Sequence, residues 1–257
     1  MWPKFIATPQ ARTTPHLVNA TALLHPNAEI RETRVMTTID FETARHNMVE
    51  YQIRCCKILD PNLLETLGSV PRESFLGEDV KSLAYMEGRV PLPCNQEMLS
   101  PLQEGNILQT LDLQGDERVL EIGSGAGFLT ALLAMHAAEV VSLELHPELA
   151  EMAKKNLDAH GISNASVSCA NGMDAKALAS LGSFDAIVIG AAIEEIPDEF
   201  LNMLNANGRL VAFVGSNPVV KLVRISCSAN RISERTEIIE TLLQNIEGLP
   251  EKREFVF

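Results

Sequence analysis

Between Glu117 and Gly215, short apolar runs rich in β-prone residues alternate with stretches whose apolar residues recur every three or four positions. The runs are RVLEI, EVVSLEL, ASVSCA, FDAIVIG and RLVAFVG, and the stretches between them include AGFLTALLAMHA, PELAEMAKKNLDAHG and PDEFLNMLNANG, the last ending at Gly208. Such alternation predicts a doubly wound α/β fold: a Rossmann-like, mostly parallel sheet with helices on both faces. Near-continuous apolar strands are what burial on two faces demands. The pattern then changes, because VVKLVRISCSA and ISERTEIIETL follow one another with no helical stretch between them. Two antiparallel strands closing the C-terminal edge are predicted there.

Upstream, Phe41, Ala44, Met48 and Ile53, then Leu63, Leu64 and Leu67, recur at helical spacing with Pro61 dividing them. This predicts two N-terminal helices joined near residues 59–61, with Asp60 capping the second and Pro61 in its first position. Residues 70–93 carry Pro71, Gly77, Gly88 and Pro91 without a sustained period and read as a structured loop. A third helix is predicted over 98–113, with Pro101 in its first turn. The expected organisation is an extension over 1–36, a helical segment with a substrate-side loop over 37–115, and an α/β domain over 116–257. The extension is rich in Thr, Pro, Ala and His and lacks the continuous apolar core of a secretory signal. A disordered extension or an upstream start, with Met36 opening the folded unit, is favoured over a targeting segment.

Composition narrows the function classes. A net charge of −13 across 257 residues argues against a surface that gathers phosphate backbones, so no nucleic-acid partner is expected. Arg31, Arg34, Arg45, Arg54 and Lys57 read as a solvated helix face. No run of about 18 apolar residues occurs, so no membrane span is expected. The five cysteines show no C-x-x-C spacing and one is left over on pairing, which fits reduced thiols in the cytoplasm. The six histidines form no H-E-x-x-H or comparable cluster, so no metal is expected.

The candidate chemistry sits in VLEIGSGAGF, residues 119–128, at the end of the first strand of the alternating region and the start of a helix. Gly123, Gly125 and Gly127 give G-x-G-x-G, a tight turn whose backbone a ligand can touch. A dinucleotide fold wants its third glycine where Phe128 stands, and a Walker loop needs a lysine that is absent between Arg118 and Lys154. A nucleoside cofactor without phosphates remains. Glu121, just before the loop, suits an ammonium group reached through water. Glu144, at the end of VVSLEL, suits the two hydroxyls of a ribose. Adenosine joined to an amino acid is S-adenosylmethionine, the predicted cofactor. Ser124 and Leu145 complete the candidate set with Asn171 and Gly172, which read equally as an adenine-edge contact or as an ordinary Asn-Gly turn. Ala191 and Ala192 follow the next strand, where open parallel sheets place substrates.

With these residues in view, the chain resembles the protein-L-isoaspartate O-methyltransferase family from about Thr43 to about Gly215. MVEYQI at 48–53, VPRESF at 70–75, VLEIGSGAGF, FDAIVIGAA and GRLVAFVG stand in that family's order and spacing. The resemblance implies the seven-stranded methyltransferase sheet with N-terminal helices added. It also implies an S-adenosylmethionine-dependent enzyme, monomeric and cytoplasmic, that methylates carboxylates at isoaspartyl residues of damaged proteins or peptides. The family carries a Gly-Gln-Thr-Ile-Ser string at the mouth of its site, whereas this chain has NQEMLSP. Aligned through Gln96 and Pro101, the family's threonine falls on Glu97 and its serine on Leu99. Gln96 and the adjacent Ser100 are therefore the candidate catalytic residues facing the acceptor, with the loop over 88–101 and the closing strands covering the site. Arg89 is a candidate local cation. The family's Gly-Asp-Gly is here Ala170-Asn171-Gly172, and the ending looks like that of a divergent bacterial branch. These departures keep two alternatives in view, a different methyl acceptor and a non-catalytic relative that retains the cofactor pocket. If the family activity holds, transfer is an in-line displacement onto a carboxylate already ionised at neutral pH, so no general base is needed.

Overall fold

In the computed structural model, which describes residues 39–228 and 231–249, Asp40 opens the first helix by accepting from the backbone N–H and hydroxyl of Thr43 at 3.1 and 2.6 Å. The extension expected over 1–36 lies outside the described residues. Helix α1 (Phe41–Asn47) widens into a π-helical turn over Met48–Ile53 and a 3-10 turn over Arg54–Cys56, burying Met48, Val49 and Ile53. Helix α2 (Pro61–Ser69) begins as predicted, since the Asp60 carboxylate accepts from the N–H groups of Asn62 and Leu63. The loop that follows holds two 3-10 turns and then a short antiparallel hairpin, β1 (Val90–Leu92) and β2 (Gln96–Met98), which the patterning did not predict. Helix α3 (Pro101–Leu111) is shorter than the stretch predicted, because Ser100 caps it.

The main sheet has seven strands in the order β5-β4-β3-β6-β7-β8-β9. They are β3 (Arg118–Ile122), β4 (Glu139–Glu144), β5 (Ala165–Cys169), β6 (Phe184–Ile193), β7 (Leu204–Ser216), β8 (Val219–Ser228) and β9 (Arg231–Thr241). Pairing is parallel from β5 through β7 and antiparallel from β7 to β9, the expected closure of the C-terminal edge. The connecting helices are α4 (Phe128–Ala134), α5 (Pro147–Ala159), α6 (Ala175–Ala179) and α7 (Asp198–Asn202). The predicted helix ending at Gly208 stops instead at Asn202, and β7 begins two residues later. Asn205 accounts for part of this, since its side chain donates to Asp185 at 2.7 Å, and Asn207 is left-handed at φ 66°.

Alternation along the strands sorts the core into two layers. Val119, Val188, Val211 and Phe213 join the apolar residues of the N-terminal helices, including Ile53, Leu67 and Ile107. Leu120, Ile122, Ile187, Ile189 and Leu210 join the other cluster, with Phe200 of α7. Strand order reverses at β3, which pairs with β4 on one side and β6 on the other, so a crevice opens at the carboxyl ends of these strands. After β9 the chain turns back across that crevice as a strap over residues 242–249. Ala192, at the end of β6, donates to the Gln244 carbonyl at 2.9 Å and accepts from the Ile246 N–H at 2.7 Å. Among the described residues no helix is long and apolar enough to cross a membrane.

Candidate functional site

The floor of the crevice is the glycine loop, with φ of +92° at Gly123, +54° at Gly125 and +87° at Gly127, values that side chains rarely adopt. The three glycines are not equivalent. A Cβ on Gly127 would stand 3.1 Å from the Cα of Ala153 in α5, so this glycine serves helix packing and does not line the cleft. A Cβ on Gly123 would meet no protein atom within 4 Å, and this residue forms part of the cleft surface. The loop thus presents bare backbone to whatever occupies the cleft.

Glu144 ends β4 and is 5% exposed as a residue. One oxygen accepts from the Gly125 N–H at 2.9 Å and the other from the His146 N–H at 3.0 Å, so the group is fixed against the loop. Its remaining lone pairs are the fixed acceptors of the cleft. Leu145, Asn171 and Gly172 line the same cavity. Asn171 forms a turn, its Oδ1 accepting from the Met173 N–H at 2.9 Å, and its Nδ2 donates to the Gly248 carbonyl of the strap at 2.8 Å. Gly172 has no room for a side chain, since a Cβ there would fall 2.7 Å from Cγ2 of Ile122.

Glu121 and Ser124 lie behind the loop and do not line the cleft. The Glu121 carboxyl is fully buried; its Oε2 accepts from the Thr130 and Ser142 hydroxyls at 2.5 and 2.6 Å, while Oε1 has no partner. Ser124 hydrogen-bonds the Ser142 hydroxyl across 2.8 Å. Burial pushes the Glu121 carboxyl up from the ordinary 4.5 to about 7; the two hydroxyls pull it down only in part, and the Glu144 charge adds to the rise. The folded chain therefore holds this proton over a range in which the unfolded chain has released it. Its stabilising contribution is full below the unfolded value of 4.5 and is lost as pH rises through about 7. Urea unfolding at about pH 5 and about pH 8 is expected to show the wild type losing up to about 3 kcal/mol more than Glu121→Gln. Equal losses in the two proteins would rule this out.

The two candidate catalytic residues sit differently. Gln96 lines the cleft, and its Nε2 donates to Oε1 of Glu247 on the strap at 2.8 Å. Ser100 does not line it. Its hydroxyl accepts from the Gln103 N–H at 3.3 Å while Oε1 of Gln103 accepts from the Ser100 N–H at 2.9 Å, a reciprocal cap on α3. Leu99 is buried in the core and contributes its carbonyl, not its side chain, to a hydrogen bond from Arg72. Glu97 lies on the outer lip, its Oε2 3.1 Å from Nη1 of Arg89. Arg89 is thus paired and not a free cation.

Sequence reasoning missed His146, Gly190 and the strap residues Leu243–Glu247, all of which line the cleft. His146 was within reach, two residues beyond Glu144 and immediately before the α5 proline. The strap had no local signal. No thiol or hydroxyl side chain lines the cleft among the described residues. Among the same residues no group of His, Cys, Asp and Glu is placed to hold a metal ion.

Comparison with known proteins follows the same lines. Residues 43–242 match the family model described as protein-L-isoaspartate(D-aspartate) O-methyltransferase. A protein-L-isoaspartate O-methyltransferase from Syntrophus aciditrophicus is 35% identical over 208 residues, covering 81% of this chain and 92% of the relative. A second, from an Anaeromyxobacter species, is 37% identical over 199 residues, covering 77% and 78%. Among solved structures, a putative enzyme of this kind from Plasmodium falciparum, in complex with S-adenosyl-L-homocysteine, shares the fold. It has a TM-score of 0.68 at 19% identity, covering 82% of this chain and 99% of that one.

Proposed function

The chain belongs to the protein-L-isoaspartate(D-aspartate) O-methyltransferase family, and from that premise we propose that it methylates the free carboxylate of isoaspartyl residues in damaged proteins or peptides, with S-adenosylmethionine as the donor. The observation that carries this reading is the glycine loop at the strand-order reversal with Glu144 locked against it by Gly125 and His146. That pair suits a ribose diol lying over bare backbone, with no phosphate to neutralise. Under this reading Glu144 holds the ribose, Leu145, Asn171 and Gly172 border the adenine, and Gly123 and Gly125 underlie the amino-acid end. The spare Oε1 of buried Glu121 points to a water-mediated link to the ammonium group. As it stands the cleft holds about 100 Å3, below the ~300 Å3 at which small-molecule pockets begin. The strap forms one wall of the cleft.

Bound there, S-adenosylmethionine supplies a methyl group on an electrophilic sulfonium. The acceptor carboxylate, with an ordinary pKa near ~3.9, is already ionised and needs no base. What the chain contributes is alignment and exclusion of water: Gln96 on the acceptor side, and the strap closing over the cleft. Ser100, engaged in the α3 cap, supports the hairpin from behind in this reading and does not touch the acceptor. The test is incubation with methyl-labelled cofactor and two peptides differing only in an isoaspartyl or an ordinary aspartyl residue. Label is expected on the isoaspartyl peptide alone, as a base-labile ester; equal labelling of both, or none, overturns the proposal.

A further inference from the structure

We propose that Glu97 sets the peptide preference of the acceptor site, favouring isoaspartyl residues flanked by lysine or arginine and disfavouring those flanked by acids. The inference rests on the methyl-transfer reading above.

Charge is the first observation. Among the described residues the cleft is lined by three carboxylates, Glu97, Glu144 and Glu247, with no lysine or arginine and one histidine, His146. Glu144 is engaged by two backbone N–H groups, and Glu247 accepts from Gln96 with its other oxygen 3.3 Å from Nε2 of His146. Glu97 and Glu247 are both partly exposed, at 37% and 46%, and Glu97 is the one whose partner is a side chain of the outer lip, Arg89. Register is the second observation. In the β1–β2 hairpin Val90 and Met98 point into the core, at 0% and 5% exposure, and Glu97 pairs with exposed Pro91 on the opposite side. The alternation leaves the Glu97 side chain nowhere but the lip.

Adjacency is the third. A second, open groove begins where the cleft ends, sharing Gln96, Glu97, Leu243 and Gln244 with it and continuing past Arg89 and Asn217. An extended peptide that brings its isoaspartyl carboxylate in over Gln96 lays a neighbouring side chain along this groove, beside Glu97. Both partners of the Glu97–Arg89 pair are partly exposed, at 37% and 27%. Such pairs are weak and exchange partners readily. A lysine or arginine on the peptide therefore competes with Arg89 for Glu97, whereas a glutamate in the groove meets the Glu97 carboxylate.

The test uses the full chain and three isoaspartyl peptides identical except for Lys, Ala or Glu after the damaged residue. At low salt kcat/KM is expected to fall about fivefold at each step from Lys to Ala to Glu, chiefly through KM. At about 0.5 M salt the spread should shrink to about twofold, because the pair is exposed to screening. Glu97→Gln, which frees Arg89, should flatten or reverse the order. Equal kcat/KM for the three peptides at low salt, or an unchanged order in Glu97→Gln, overturns the inference while leaving methyl transfer standing. Failure to label any of the three overturns both. Should the variant not fold, the salt series on the unaltered protein decides: a spread that survives high salt overturns the role of Glu97.

Discussion

Replacing Glu144 with alanine is expected to weaken binding of S-adenosylhomocysteine by about a hundredfold or more while the protein stays folded. Two N–H donors hold the carboxylate in one orientation, so it offers its free lone pairs without first having to be ordered. Hydrogen bonds to a charged acceptor contribute about 1.5–3 kcal/mol each, so the loss of two from a ribose diol comes to at least about 3 kcal/mol, or about two decades in Kd. Stability should change little, because water entering the space of the lost side chain can reach the Gly125 and His146 N–H groups at the cleft wall. Glu144→Gln separates charge from shape. Its amide nitrogen must face one of the two N–H donors, so its affinity should fall between the others, about tenfold below wild type. Calorimetric titration checks all three proteins. A Kd unchanged in the alanine variant would mean that the ribose lies elsewhere and that the cofactor arrangement drawn around β4 is wrong.

Glu144 was legible in the sequence for the same reason that the sheet was. Strands buried on both faces must be apolar throughout, so an acid ending VVSLEL stands out, and so does a glycine run at the end of RVLEI. Where the chemistry is carried by backbone geometry repeated along a strand, one sequence is enough. Ser100 shows a different case. It was read for its hydroxyl beside Leu99, yet Ser100-Pro101-Leu102-Gln103 spells a capping box, and that local rule claims the side chain. The signal was present and the competing reading won. The β1–β2 hairpin carried almost none: its strands are three residues long, one contains Pro91, and its turn places Cys94 and Asn95 at positive φ without a glycine to mark it. The strap is harder still. Its contacts reach Gln96, Asn171 and Ala192, between about 50 and 150 residues away in the chain, and no periodicity in residues 242–248 announces them. Alternation turns Glu121 inward toward Thr130 and Ser142, behind the loop.

The mouth of the site depends on a residue that never reaches it. Arg72 is fully buried; its Nε donates to the Ala84 carbonyl at 2.7 Å, its two terminal nitrogens to the Glu104 carboxylate and the Leu99 carbonyl, and its guanidinium lies 4.9 Å over the Phe128 ring. One side chain thereby ties the 70–84 loop, α3, α4 and the end of the Gln96–Met98 strand. Arg72→Met keeps much of the volume but leaves Glu104, 1% exposed, without its charge partner. Breaking a buried pair from one side costs about 3–5 kcal/mol, about a fifth or more of the roughly 5–15 kcal/mol by which domains are stable. The melting temperature should drop by about 10 °C or more. The double variant Arg72→Met with Glu104→Leu removes the stranded charge and should recover most of that loss, because an apolar pair of similar size often matches a buried ion pair. Methyl transfer should not recover with it. The Leu99 carbonyl would still lack its donor, and the strand carrying Gln96 and Glu97 would lose its anchor to α3, so kcat/KM should stay at least about tenfold down while the melt returns. Thermal melts and the peptide assay on the single and double variants check both halves. A double variant that regains stability and activity together would show the pair to be packing alone, and an unaltered melt for Arg72→Met would show that Glu104 finds another way to bear its burial.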